Sequence, residues 1–188
     1  MTFEQVATSV AARLDQAGIP YMLTGALAVS YHGIPRSTHD VDIVVLVALP
    51  DVARIKAALE PDFPVATESI KAALREGSMF NTIHEETGLK VDFWIRKDDQ
   101  YGREAFARRR RYPYGEMQVS ISAPEDAIIA KLDWYRMSGI DKHYSDALGI
   151  VTVQQGMLDT DYIRRWCQAK GLADLWYKVE HESHSAGS

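Results

Sequence analysis

Residues 24–45 read TGALAVSYHGIPRSTHDVDIVV, and the last seven, HDVDIVV, set two carboxylates into an apolar run. A strand sends alternate side chains to opposite faces, so Asp40 and Asp42 share one face while Val41 and Ile43 take the other. Like charges at that spacing repel unless a cation stands between them. The residues alone leave two readings open: the pair holds a divalent metal, or Asp40 caps a turn and Asp42 pairs with an arginine. Upstream, Gly25 turns the short strand YMLT into the helix ALAVSYH, which Gly33 and Pro35 close. Such a turn offers free backbone N–H groups to an anion, or is a plain strand-to-helix connection.

A third carboxylate shifts the balance. Asp92 lies in LKVDFWI, residues 89–95, between Val91 and Phe93. One uncompensated ionised carboxylate in a sheet is costly, whereas three that converge on Mg²⁺ satisfy one another. Asp40, Asp42 and Asp92 therefore read as ligands of one or two hard cations, Mg²⁺ with Mn²⁺ as the alternative. Two-metal sites of this kind hold their ions ~3.5–4 Å apart and serve phosphoryl and nucleotidyl transfer.

The 188 residues are 46% hydrophobic and 25% charged, the balance of a globular chain with one domain and an appendage. With 21 basic against 26 acidic residues the formal charge is -5, which argues against wholesale coating of nucleic acid and leaves room for one local basic site. The single cysteine, Cys167, excludes an intramolecular disulfide framework, suits a reducing cytoplasm and reads as a helix-packing residue. The N-terminal segment spaces Phe3, Val6, Val10, Leu14 and Ala17 as an amphipathic helix, not as a signal peptide or a membrane span. No segment has transmembrane length and apolarity.

The elements then alternate: strand 21–24, helix 26–32, strand 40–47, helix 49–59, a weaker helix 69–76, and strands 79–86 and 89–95 joined at Thr87-Gly88. A basic helix, 102–111, precedes strands 111–115 and 116–121. SAPE, residues 122–125, has the form of a capping box opening a helix, with Ser122 as N-cap and Glu125 reaching back; a break at Ser138-Gly139 and three further helices follow. The expected class is α/β (α+β), with a mixed core over 1–122, a helical part packed on it over 123–180 and a disordered tail over 181–188.

Gly25 followed by a small residue, with Asp40-Val41-Asp42-Ile43 downstream, resembles the nucleotidyltransferase superfamily of DNA polymerase beta-like enzymes; VDF at 91–93 matches its third acidic motif. HGIPRSTHDVD at 32–42, of the form HGxxRxTxDxD, resembles the AbiEii/AbiGii toxin branch of bacterial stand-alone nucleotidyltransferases. EDAIIAKLDWYR at 125–136 and DKHYSDALGI at 141–150 resemble the same branch. The resemblance spans about 21–150. It implies a small mixed sheet flanked by helices and metal-dependent transfer of a nucleoside monophosphate from an NTP to an acceptor hydroxyl on tRNA or other RNA, a protein or a small molecule. A toxin–antitoxin role with an antitoxin protein as partner is implied too, as is the alternative of an inactive relative serving as a binding or regulatory module.

Carried residue by residue, the resemblance makes Asp40 and Asp42 ligands of the metals that bridge the triphosphate and Asp92 a ligand of the metal that activates the acceptor. Gly25 and Ala26 would lie under the phosphates, and Lys131 would face the triphosphate or simply snorkel. Two departures stand out: Ala26 replaces the usual Ser or Gly, and His143 replaces an acidic residue. Arg36 either supplies the missing positive charge or is a loop arginine. Lys142 and Asp146 read as an exposed i,i+4 pair. The run Arg108 to Arg111, with Arg103 one turn earlier, reads as a solvated face or as a hold on RNA or nucleotide phosphates. His32, His39 and His84 lack zinc spacing, His32 closing its helix, and Trp94, Trp134, Trp166 and Trp176 read as core or interface.

Overall fold

In the computed structural model, which describes the backbone of residues 1–185 and side chains to Ser183, the acidic stretch is the second strand of a six-stranded mixed sheet. The elements in chain order are α1 (Phe3–Gln16), β1 (Tyr21–Leu23), α2 (Gly25–His32), β2 (Asp40–Val45), α3 (Val52–Leu59, entered through a 3₁₀ turn at Leu49–Asp51), α4 (Thr67–Glu76), β3 (Met79–Ile83), β4 (Lys90–Ile95), α5 (Gln100–Ala107), β5 (Arg110–Tyr114) and β6 (Met117–Ile121). Four helices complete the described chain: α6 (Pro124–Ser138), α7 (Asp141–Val153), α8 (Thr160–Ala169) and α9 (Ala173–Ser185).

The chain divides into two compact units, Met1–Ala26 with Thr38–Ser122, and Leu27–Ser37 with Ala123–Ser188; the first dividing line falls inside α2. The first unit holds the sheet, ordered β3-β4-β2-β1-β6-β5. β2 and β4 run parallel, as do β1 and β6, while the other neighbours are antiparallel. Parallel pairing of β2 with β4 needs a crossover, and α3 and α4 supply it. Val41, Ile43, Val91 and Phe93 point to the buried face, with Phe93 stacked on Phe80 at 4.8 Å between ring centroids. α1 has a complete capping box in Thr2 and Gln5 and buries Val6, Val10 and Leu14, the stripe its spacing predicts.

The second unit is helical. α6 and α7 form its largest helix–helix contact, and Ile128, Leu132, Ala147 and Ile150 are fully buried. Cys167 is inside α8, and burial pushes its thiol up to about 12, so it is an inert packing group.

Three expectations are corrected. The basic helix stops at Ala107, because β5 pairs with β6 from Arg110 onward and draws the arginine run into two elements. The capping box at Ser122 does not form: the Ser122 N–H donates to the Leu23 carbonyl at 3.0 Å and extends the sheet, Ala123 is the N-cap, and Pro124 takes the first helical position, where no N–H is required. Glu125 instead accepts from the Asp159 N–H at 3.0 Å, tying α6 to the start of α8. Residues 181–185 of the expected disordered tail continue α9; residues 186–188 lie outside the described residues.

Candidate active site

In the first unit the site is built on the face of the sheet opposite the apolar core. The parallel register sets Asp42 directly against Asp92 and Asp40 against Lys90, while antiparallel β3 sets Asn81 against Asp92. Asp40, Asp42, Lys90 and Asp92 thus share one face, as alternation requires. Asp40 is exposed, Asp42 half-buried and Asp92 buried. The Trp94 indole N–H donates to Asp42 Oδ1 at 3.2 Å and helps fix that carboxylate. Trp94 is therefore neither simple core nor a bare stacking platform.

Gly25 forms the opposite wall of the Asp42 carboxylate. A Cβ at Gly25 would stand 2.0 Å from Asp42 Oδ2, and φ is +61°, so both space and backbone demand glycine. The Thr24 N–H donates to the Asp42 carbonyl at 2.9 Å and locks the turn to β2. The glycine that the sequence placed at the turn is needed first for this close approach.

Asp92 is held by the lysine two residues before it. Lys90 Nζ donates to Asp92 Oδ2 at 2.9 Å and lies 2.8 Å from Oδ1, off the hydrogen-bonding direction, so buried Oδ1 has no hydrogen-bond donor. The Asp92 hydrogen bond is the first cause that holds the Lys90 pKa above its ordinary value. Partial burial works against it, and the charges of Asp92, Asp40 and Asp42 add to it. Among the described residues no three His, Cys, Asp or Glu side chains stand together as a ready metal shell. The donor set nonetheless fits a hard cation: it is all oxygen, Asp42 and Asp92 face each other in register, and buried Asp92 Oδ1 accepts no hydrogen bond although the Lys90 ammonium lies beside it.

The second unit carries a different charged cluster. Asp146 on α7 is 5% exposed and accepts from Arg36 Nε at 2.7 Å and Arg36 Nη2 at 2.9 Å, a bidentate pair, while Lys131 Nζ on α6 lies 2.9 Å from Oδ2. Burial pushes the Asp146 pKa up, but Arg36 and Lys131 together outweigh it and hold the carboxyl below its ordinary value. Lys131 is thus a buried ion-pair partner and not a snorkelling side chain, and Asp146 pairs with Arg36 and Lys131 instead of forming an exposed pair with Lys142. His143 borders this cluster; burial first, then Lys131, lowers its pKa.

The sequence reading missed Lys90 and took Asp146 for one half of an exposed pair. Lys90 is visible in retrospect as a cation at the i−2 position on the face of Asp92, and Asp146 as an acid one turn from the apolar stripe of α7. The remaining candidates disperse. Arg103 pairs with Asp98, Arg109 stacks on Phe106 at 4.1 Å, and Arg111 pairs with Asp15 at 2.9 Å, so Arg109 and Arg111 turn to different partners. His32 closes α2 and is buried.

No family model matches the chain, and no curated protein sequence matches it. Solved structures do. The antibiotic-resistance factor ANT(2'')-Ia is similar at 12% identity over 97% of each chain, with a TM-score of 0.59. An antigenic nucleotidyltransferase-like protein from Paracoccidioides brasiliensis is similar at 16% identity over 93% of this chain and 91% of that one, with a TM-score of 0.57. The lincosamide antibiotic adenylyltransferase LnuA, solved with lincomycin bound, is similar at 12% identity over 81% of this chain and 98% of its own, with a TM-score of 0.54. The fold is the nucleotidyltransferase fold. No helix among the described residues is long and apolar enough to cross a membrane.

Proposed function

We propose that the protein is a nucleotidyltransferase that moves a nucleoside monophosphate from an NTP to an acceptor hydroxyl, with Asp40, Asp42 and Asp92 as the ligands of Mg²⁺ or Mn²⁺. The observation that carries the proposal is the in-register Asp42–Asp92 pair on one sheet face, with the Gly25 backbone pressed against Asp42, in a nucleotidyltransferase fold. A divalent cation there, or two, would polarise the triphosphate and lower the pKa of the acceptor hydroxyl. The chain's own residues orient these ligands: Trp94 and the Gly25 turn fix Asp42, and the strand register fixes Asp92 against it. The Gly25–Ala26 turn contributes backbone N–H groups toward a phosphate, a role that does not need the hydroxyl absent from Ala26.

In the second unit one carboxylate faces two cations, which leaves one positive charge within the cluster of Arg36, Lys131 and Asp146. In this proposal Arg36 and Lys131 use that excess to bind triphosphate oxygens. The acceptor remains one of three classes: RNA such as a tRNA end, a protein, or a small molecule. A structure of ANT(2'')-Ia with adenylyl-2''-tobramycin, and the lincomycin-bound LnuA, support a small-molecule acceptor. The HGxxRxTxDxD stretch supports a toxin with a protein antitoxin, and the buried free thiol of Cys167 suits the cytoplasm. A second reading, a non-catalytic module of the same fold, draws on the salt bridge already present at Asp92 and on Ala26.

The test is incubation with each labelled NTP, Mg²⁺ and, separately, RNA, cellular protein, an aminoglycoside and a lincosamide. The expected result is pyrophosphate release with label on one acceptor, abolished by Asp42→Asn. Wild type that releases no pyrophosphate with any acceptor supports the binding module instead.

A further inference from the structure

Lys90 contacts the one carboxylate that is buried on the acidic face. Its Nζ reaches both oxygens of Asp92, at 2.8 and 2.9 Å, and its Cα is the register partner of Asp40 on the neighbouring strand. We propose that Lys90 is an internal counter-ion that competes with the divalent cation for Asp92, so that cation binding requires the ammonium to leave. This inference rests on the reading of Asp40, Asp42 and Asp92 as metal ligands.

The Lys90 ammonium lies within 2.9 Å of both Asp92 oxygens, so a dication bound to either oxygen would stand beside a like charge, and the two repel unless the ammonium moves away. Which partner yields is set by burial. The Lys90 side chain is 41% exposed and has a flexible four-carbon stem, so its charged end can move into water; the Asp92 side chain is 10% exposed and has no such exit. The bond is also incomplete, since Asp92 Oδ1 lies beside the ammonium but accepts no hydrogen bond from it. A dication that takes both oxygens brings twice the charge and satisfies that acceptor. This competition makes metal affinity a difference between two states of one side chain, and so a property that a single substitution can tune.

Mn²⁺ titration calorimetry on wild type, Lys90→Met, Lys90→Arg and Asp42→Asn tests the proposal. If the Lys90-displaced state is about a tenth of the metal-free population, Lys90→Met should bind Mn²⁺ about tenfold more tightly than wild type. Lys90→Arg, which keeps the charge, should stay near wild type. Thermal unfolding gives a second readout: in metal-free buffer Lys90→Met should melt below wild type, and saturating Mn²⁺ should close the gap. Equal or weaker Mn²⁺ binding by Lys90→Met, with binding still lost in Asp42→Asn, overturns the role of Lys90 and leaves the metal site standing. Mn²⁺ binding that survives Asp42→Asn overturns the metal site and this proposal with it.

Discussion

The acidic sheet face and the helical cluster around Asp146 use the same residue types in opposite proportion. On the sheet, three carboxylates share a face with one lysine, and the cation that neutralises Asp92 is half exposed. Between α6 and α7, one buried carboxylate faces two cations, one of them buried. An excess of acid beside a movable cation can exchange that cation for another. A buried acid clamped by a bidentate arginine and a lysine cannot change partners without a large penalty. Burial of the cation, more than the number of carboxylates, distinguishes the two clusters: the Lys90 side chain is 41% exposed and that of Lys131 9%.

Substitution of Asp146 should have the greatest effect on stability. Asp146→Asn leaves Lys131 buried without its counter-charge and should destabilise the protein by about 3–5 kcal/mol in denaturant unfolding, the scale of a broken buried pair. The pH dependence follows from the depressed Asp146 pKa. Its contribution is present above the carboxylate's unfolded value and is lost as pH falls through the lower folded value. Acid unfolding of wild type should therefore show a limb that Asp146→Asn lacks. A loss below ~1 kcal/mol would rank this cluster with ordinary surface ion pairs.

At Gly25 the expected effect is intermediate. Gly25→Ala drives a methyl into the Asp42 carboxylate and strains a positive φ, and should cost about 1–3 kcal/mol as well as weaken metal binding. Calorimetric Mn²⁺ affinity and unfolding curves of this variant measure both losses; a neutral result would mean that Asp42 moves aside freely.

The smallest effects on stability belong to Asp92 and to the arginine run. Asp92→Asn removes a salt bridge whose lysine is exposed, so it should change stability by less than ~1 kcal/mol while transfer falls by orders of magnitude. Replacement of Arg111 by Ala opens the half-exposed pair with Asp15 and a 3.5 Å hydrogen bond to the Tyr21 hydroxyl, and should cost no more than ~1 kcal/mol. A salt-dependent loss of RNA binding on neutralising Arg108 to Arg111 would restore the run to an acceptor role despite its dispersal.

Much of this was legible in the residues. Alternation placed Asp40 and Asp42 on one face, and the apolar flanks of Asp92 marked a second strand; the register that joins them is a long-range pairing that no local pattern encodes. The glycine turn was legible, but its contact with Asp42 was not, because residues seventeen apart meet only through the strand pairing. Asp146 was misread for a related reason: on a helix wheel it has a neighbour in Lys142, while its true partners, Arg36 and Lys131, come from other elements. The helix through Arg111 failed because its propensity yielded to pairing with β6. The expected capping box failed because the Ser122 backbone was already committed to the sheet.

The most direct test of the account is paramagnetic broadening by Mn²⁺ in amide spectra of the isotope-labelled protein. At substoichiometric Mn²⁺ the amide signals of Gly25, Asp42, Asp92 and their strand neighbours should broaden first, and Asp42→Asn should abolish the effect while leaving the rest of the spectrum in place. Broadening that spreads over the exposed acids of the surface and leaves Asp42 and Asp92 sharp would contradict it.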